Sequence, residues 1–197
     1  MTVTAIERIR AAEGLLSTFP AQALEGDSVT QDTPRRVVKM WDELLAGYRI
    51  NPNEILDKAF DVGAGGDENA NGIVLVKDIP LYSQCEHHLV PFFGTAHIAY
   101  IPRDRVVGIS KFARLVECFS RRLQVQERLT NQIANCIQDN LNPFGVMVII
   151  ECEHMCMTMR GIQKPGTKTT TSRCLGVFYD KPEARAEVMS LIYGGKK

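Results

Sequence analysis

An excess of either charge is missing: 23 Lys and Arg stand against 23 Asp and Glu in 197 residues. Without a basic surplus there is no broad face for nucleic acid, and no nucleic-acid partner is expected. No apolar run approaches the ~18 residues that a membrane helix needs, so no membrane span is expected. The first residues also lack the apolar stretch of a signal peptide, since Glu7, Arg8, Arg10 and Glu13 interrupt them. Internal repeats and low-complexity tracts are absent too. These absences lead us to expect a cytoplasmic protein, whose six cysteines are reduced, buried or metal-bound rather than paired. The length suits one domain, or one domain with an N-terminal helical addition. A hydrophobic content of 45% is enough for a real core.

Histidine is scarce, and its placement is informative. Of four histidines, three lie in two short segments, Gln84-Cys-Glu-His-His and His154-Met-Cys-Met-Thr-Met-Arg. The same segments hold Cys85 and Cys156. Cys85 and His88 form a Cys-x2-His pair that one tight turn can present, and Cys156 could add a third donor. Three protein donors with an open position are the pattern of catalytic zinc. Two other readings stand beside it: a four-ligand structural site completed by His154 or Cys152, and a set of buried, inert cysteines. If residues 152–160 are extended, Cys152, His154, Cys156, Thr158 and Arg160 share one face, and Met155, Met157 and Met159 turn to the core.

Periodicity gives an α+β order. Helices are expected over 3–18, from Asp32 or Thr33 with Pro34 in the first turn, and over Asn51–Phe60. A Gly-rich loop, Gly63–Gly72, follows. Strands are then expected at Ile73–Ile79, Phe93–Ile101 and Val106–Ile109. Two helices follow: one capped by Ser110 with Phe112, Leu115, Val116 and Phe119 as its stripe, and one over about 124–141 stopped by Asn142-Pro143. Strands Val146–Glu153 and Cys174–Tyr179 and a helix Pro182–Ile192 close the chain. This predicts antiparallel hairpins with paired helices, and a division into an N-terminal helical region, 1–72, and a catalytic domain, 73–197.

Other candidates sit on these elements. The histidine side chain suits proton transfer at neutral pH, which makes His87 and His154 candidates, although His87 could instead be a ligand or support one. His97, mid-strand, reads as structural. Cys118, Cys136 and Cys174 read as core. Lys111 and Arg114 at a helix start suit phosphate, with Arg160 and Arg36 as further cations. Their bland alternative is simple solvation. Gln126 and Glu127 could be a solvated helix face, yet a carboxylate can also grip two parallel N–H groups such as those on the edge of guanine. Two false leads fall away. Gly161 to Thr169 approaches a P-loop but misplaces the lysine, and the zinc-deaminase signature is missing.

Taken together, these stretches resemble the GTP cyclohydrolase I family from about Asp32 to Ile192. The resemblance is carried by Asp32-Thr-Pro-Arg-Arg-Val-Val-Lys-Met, Cys85-Glu-His-His-Leu-Val-Pro-Phe, Gly108-Ile-Ser-Lys-Phe-Ala-Arg, Arg121-Arg-Leu-Gln-Val-Gln-Glu-Arg-Leu-Thr, His154-Met-Cys-Met-Thr-Met-Arg-Gly and Thr169-Thr-Thr-Ser. It implies a tunnelling-fold (T-fold) subunit of a ring-shaped homodecamer with sites at subunit interfaces. It implies zinc on Cys85, His88 and Cys156, and proton transfer by His87 and His154. It implies guanine binding by Glu127, with Gln126 and Ser110 beside it, and triphosphate binding by Lys111, Arg114, Arg160 and Arg36. The implied reaction converts GTP into 7,8-dihydroneopterin triphosphate and formate, feeding pterin, folate or deazaguanine synthesis. Two alternatives remain: a related T-fold enzyme acting on a deazaguanine, and a purine- or pterin-binding module with structural zinc. The sequence departs from the family pattern in the 61–72 loop, at Arg173-Cys174 and in its short N-terminus.

Overall fold

The computed structural model describes residues 3–26, 28–57, 59–61 and 72–194. The expected Gly63–Gly72 loop, apart from its last residue, lies outside the described residues. Two compact units emerge, Met1–Ala46 and Gly47–Lys197. The sequence reading draws its line after residue 72. The fold groups residues 47–61 with the second unit, because Leu56 is wholly buried in that unit's core.

The first unit is built on two helices. Helix α1 (Ala5–Leu16) starts at a reciprocal cap: the Glu7 amide donates to the Thr4 hydroxyl, and the Thr4 amide donates to the Glu7 carboxylate at 2.7 Å. Helix α2 (Thr33–Leu44) has Pro34 in its first turn, as expected. Arg8 reaches Asp42 at 2.9 Å and joins the two helices.

The second unit opens with helix α3 (Pro52–Leu56), shorter than expected; the Asn51 side chain caps it by accepting from the Asn53 amide. Strand β1 (Ala59–Asp61) pairs with β4 (Arg105–Val107). The main sheet contains β2 (Val74–Cys85), β3 (Pro91–Ile101), β5 (Leu123–Gln124), β6 (Gly145–His154) and β7 (Lys168–Gly176). Their order is β5-β2-β3-β6-β7, antiparallel except for the short β2–β5 pair. Helix α4 (Ser110–Ser120) packs on β2, and helix α5 (Gln126–Leu141) packs on β6 and β7, the strands that come after it.

Sheet parity explains why both faces are filled. On β6, Val146, Val148, Ile150 and Cys152 pack with Leu115, Leu129, Ile133 and Ile137 of α4 and α5. The alternating Met147 and Ile149 join Phe178, Val188 and Ile192 on the other face. Those three come from α7 (Val177–Asp180) and α8 (Pro182–Tyr193), which follow β7 with the one-turn helix α6 (Met155–Thr158) standing earlier, after β6. Gly94 lets β3 and β6 approach closely. A Cβ there would lie 1.9 Å from the Glu151 carbonyl oxygen. Asn142 in the left-handed conformation (φ 45°) ends α5.

Three expectations are corrected here. Residues after His154 coil into α6 instead of staying extended. Met159, expected in the core, is 63% exposed. The last strand is Lys168–Gly176, not Cys174–Tyr179, because the β-branched Thr169–Thr171 pair with Ile150–Cys152. Gly176 then turns the chain at φ 57° into α7.

Candidate metal centre and its surroundings

The site begins where β2 ends. The amides of Leu89 and His88 donate to the Cys85 carbonyl oxygen at 2.8 and 3.3 Å, and the Cys85 amide donates to Val90 at 2.9 Å. Leu89 takes a left-handed conformation (φ 55°) to close this turn. The wrap brings Cys85 Sγ within 3.5 Å of His88 Nδ1. Cys156 arrives from α6, at the end of β6. Strand β6 lies beside β3, with Phe92 opposite His154 in the register.

The donor atoms of Cys85, His88 and Cys156 all lie within 4.8 Å of one another, and no other such group of three occurs among the described residues. A tetrahedral zinc with Zn–S of about 2.3 Å and Zn–N of about 2.0 Å requires a sulfur–nitrogen separation of roughly 3.5 Å. The Cys85–His88 pair meets it. Burial, and then Cys85 beside it, push the Cys156 thiol up; the Arg160 charge opposes this. Two adjacent thiols resist joint ionisation, and a divalent cation between them removes that penalty. The donor set therefore fits zinc. Neither alternative fourth ligand belongs to the group. Cys152 is a core residue whose thiol burial pushes up to about 12. His154 has one ring nitrogen engaged elsewhere. Cys118 and Cys136 are buried as expected, and Cys174 is half-buried beside the second core cluster.

His87 is 62% exposed, with Nε2 3.7 Å from Glu86 Oε1. Its ring stands edge-on to that of His88 at 6.2 Å. Glu86 is held by Arg128, whose hydrogen bond lowers its pKa. His154 is half-buried and stacks on Phe92 with centroids 4.7 Å apart and planes 8° apart. Its Nε2 lies 2.8 Å from Gln126 Oε1. Burial lowers the His154 pKa, and the negative Glu127 nearby pulls the other way. Glu127 is exposed in the first turn of α5. The link between Cys156 and the sheet is pinned by Glu153, which accepts from Thr158 Oγ1 and from the Gly166 amide, both at 3.0 Å.

Not every predicted residue joins this group. Ser110, Lys111 and Arg114 form the start of α4, a separate polar and cationic cluster. Ser110 is the first helical residue and not the cap; Ile109 holds the cap position without a side-chain bond. Arg36 belongs to the first unit and pairs with Asp32 at 3.4 Å. Gln126 departs most from expectation. It is 1% exposed, and its amide bonds are made within the chain. Phe92 was not singled out by the sequence. It ends the Cys85 motif, and only the β3–β6 register reveals it as the platform for His154.

A family model described as GTP cyclohydrolase I matches residues 15–193. The GTP cyclohydrolase 1 of Carboxydothermus hydrogenoformans is 56% identical over 163 residues, covering 82% of each chain. That of Geobacillus sp. (strain WCH70) is 55% identical over 164 residues, 83% of this chain and 84% of the relative. That of Streptococcus agalactiae serotype Ia is 53% identical over 166 residues, 84% of this chain and 86% of the relative. A solved archaeosine synthase QueF-Like overlaps 53% of this chain and 93% of its own at 20% identity with a TM-score of 0.45, a likeness too partial to bear on fold or function.

Proposed function

The chain belongs to the GTP cyclohydrolase I family, and from that premise we propose that it hydrolyses and rearranges GTP to 7,8-dihydroneopterin triphosphate with release of formate. The observation that carries the reading in this molecule is the convergence of Cys85, His88 and Cys156. Zinc held there supplies a Lewis acid that lowers the pKa of water to about 7.

The chain's own residues supply the rest. Glu127 holds the guanine edge through two parallel N–H bonds. Ser110 stands beside the guanine, and Lys111, Arg114 and Arg160, with Arg36 in support, hold the triphosphate end. Gripping both ends fixes C8 of the base for attack, an orientation effect. His154 and His87 move protons as the ring opens at C8–N9 and as formate leaves. No helix among the described residues is long and apolar enough to cross a membrane. We read residues 73–197 as the T-fold catalytic domain of a ring-shaped homodecamer whose product serves pterin or folate synthesis. The outer edge of β7, which no strand among the described residues pairs with, supports such assembly.

GTP turnover by the zinc-loaded protein, followed through formate and the fluorescence of the oxidised pterin, tests the reaction. Both products are expected, and both vanish on chelation. GTP binding without formate would overturn the reading.

A further inference from the structure

Gln126 is a buried polar side chain that the proposed chemistry leaves without a task. Its Nε2 lies 2.9 Å from the carbonyl oxygen of Ile150, 2.9 Å from that of Thr169 and 3.1 Å from Thr171 Oγ1. Carbonyl oxygens only accept, so the atom facing them must be the amide nitrogen. The hydroxyls agree. Thr130 donates to the Gln126 backbone carbonyl at 2.8 Å, so the 2.6 Å contact between Thr130 and Thr171 uses the Thr171 proton. The Thr171 oxygen is then left as an acceptor, and the two protons of the Gln126 amide are shared among three acceptors.

This order fixes the far end of the amide. Oε1 faces His154 Nε2 at 2.8 Å and can only accept, so Nε2 must carry a proton. In a neutral ring the lone pair then sits on Nδ1. Phe92, stacked 4.7 Å away within 8° of parallel, holds the plane of the ring in which Nε2 meets Oε1.

We infer that Gln126 is a positioning residue that locks His154 in the Nε2–H tautomer, so that its proton transfer runs through Nδ1 alone. The inference deepens the proposed function and rests on it. In the step it serves, water forms a bond to C8 as the C8=N7 π pair moves onto N7, and one water proton passes to Nδ1. The same proton is then delivered to N9 as the N7 pair re-forms the bond to C8 and the C8–N9 pair leaves with N9, giving the imidic-acid tautomer of the formamide. The proton on His154 Nε2 stays on the ring throughout, donated to Gln126 Oε1. The threonine run 169–171 acquires a purpose from this chain: its backbone and one hydroxyl hold the amide that holds the histidine.

The first test needs no variant. In 15N-histidine-labelled protein, NMR of the neutral His154 ring, assigned by its loss in His154→Asn, is expected to show the proton on Nε2 and a bare Nδ1. A proton on Nδ1 would overturn the inference. The second test is kinetic. Gln126→Met is expected to lower kcat about 10²-fold, the low end of what a placed acid–base group contributes, with KM for GTP and zinc content unchanged. Thr171→Val should give a smaller fall of the same kind. A raised KM at unchanged kcat would make Gln126 a substrate contact and sink the positioning role. Should Gln126→Met fail to fold, Thr171→Val and the wild-type spectrum decide. Should the wild type release no formate, the functional reading fails, while the tautomer still stands or falls by its spectrum.

Discussion

Two strand histidines, His97 and His154, make a controlled comparison. Each lies on a strand of the same sheet, and each is held with its proton on Nε2. For His97 the agent is the backbone: the Asp78 amide donates to Nδ1 at 3.1 Å. For His154 it is the Gln126 side chain acting from the other side of the ring. The lone pair of His97 is thereby spent on a hydrogen bond, and the ring is 1% exposed with Nε2 3.7 Å from Glu151. The lone pair of His154 stays on the nitrogen that Gln126 does not touch. Which nitrogen receives the fixed partner therefore separates a histidine that holds structure from one that can exchange a proton. Histidine on a strand is by itself no signal of either.

The largest effect should come from the donors beside His154. Cys85→Ala and Cys156→Ala are expected to abolish formate release and to leave substoichiometric zinc by elemental analysis. Wild-type turnover by either would remove the metal assignment. Next, His154→Ala should cost about 10²–10⁴ in kcat with zinc retained, while His97→Leu should leave kcat per folded enzyme intact. His97→Leu should instead destabilise by about 0.5–1.5 kcal/mol, because the Asp78 amide loses its acceptor; urea unfolding reads this out. Equal losses of kcat in the two variants would break the comparison.

The smallest effect concerns Tyr193, whose ring lies 6.2 Å from that of His97. Burial, then its hydrogen bond to Glu151, push the phenol from 10.0 up to about 12. The raised value means that its stabilisation is complete below pH 10 and is lost as pH rises through about 12. Tyr193→Phe should flatten the pH dependence of unfolding across that window and leave turnover unchanged. An unaltered alkaline slope would show that another group governs it.

What the sequence made legible follows from range. Cys85-x2-His88 sits in one turn, and Cys156 is flagged by His154, so the donor set could be read locally. The stripes of α4 and α5 are equally local, and both helices are present. The path from His154 to Cys156 was misread because parity assumes a strand, and the chain coils at Met155. The role of Gln126 was beyond reach. It depends on Ile150, Thr169 and Thr171, which meet it only through the pairing of β6 with β7. The displaced last strand has the same origin, since Glu153 pairs with Lys168 across a long excursion.

The turn at Leu89 has a consequence for how the protein ages and recovers. Its closing bonds are all backbone to backbone, and none needs an ion. The core packed by α4 and α5 is apolar and independent of those donors, apart from Cys85 at its edge and Cys156 against it. Small zinc domains melt when stripped because their ligands are their core. Here backbone bonds close the turn and an apolar core stands behind it, so stripping zinc is expected to cost activity before it costs the fold, and adding zinc back to restore turnover.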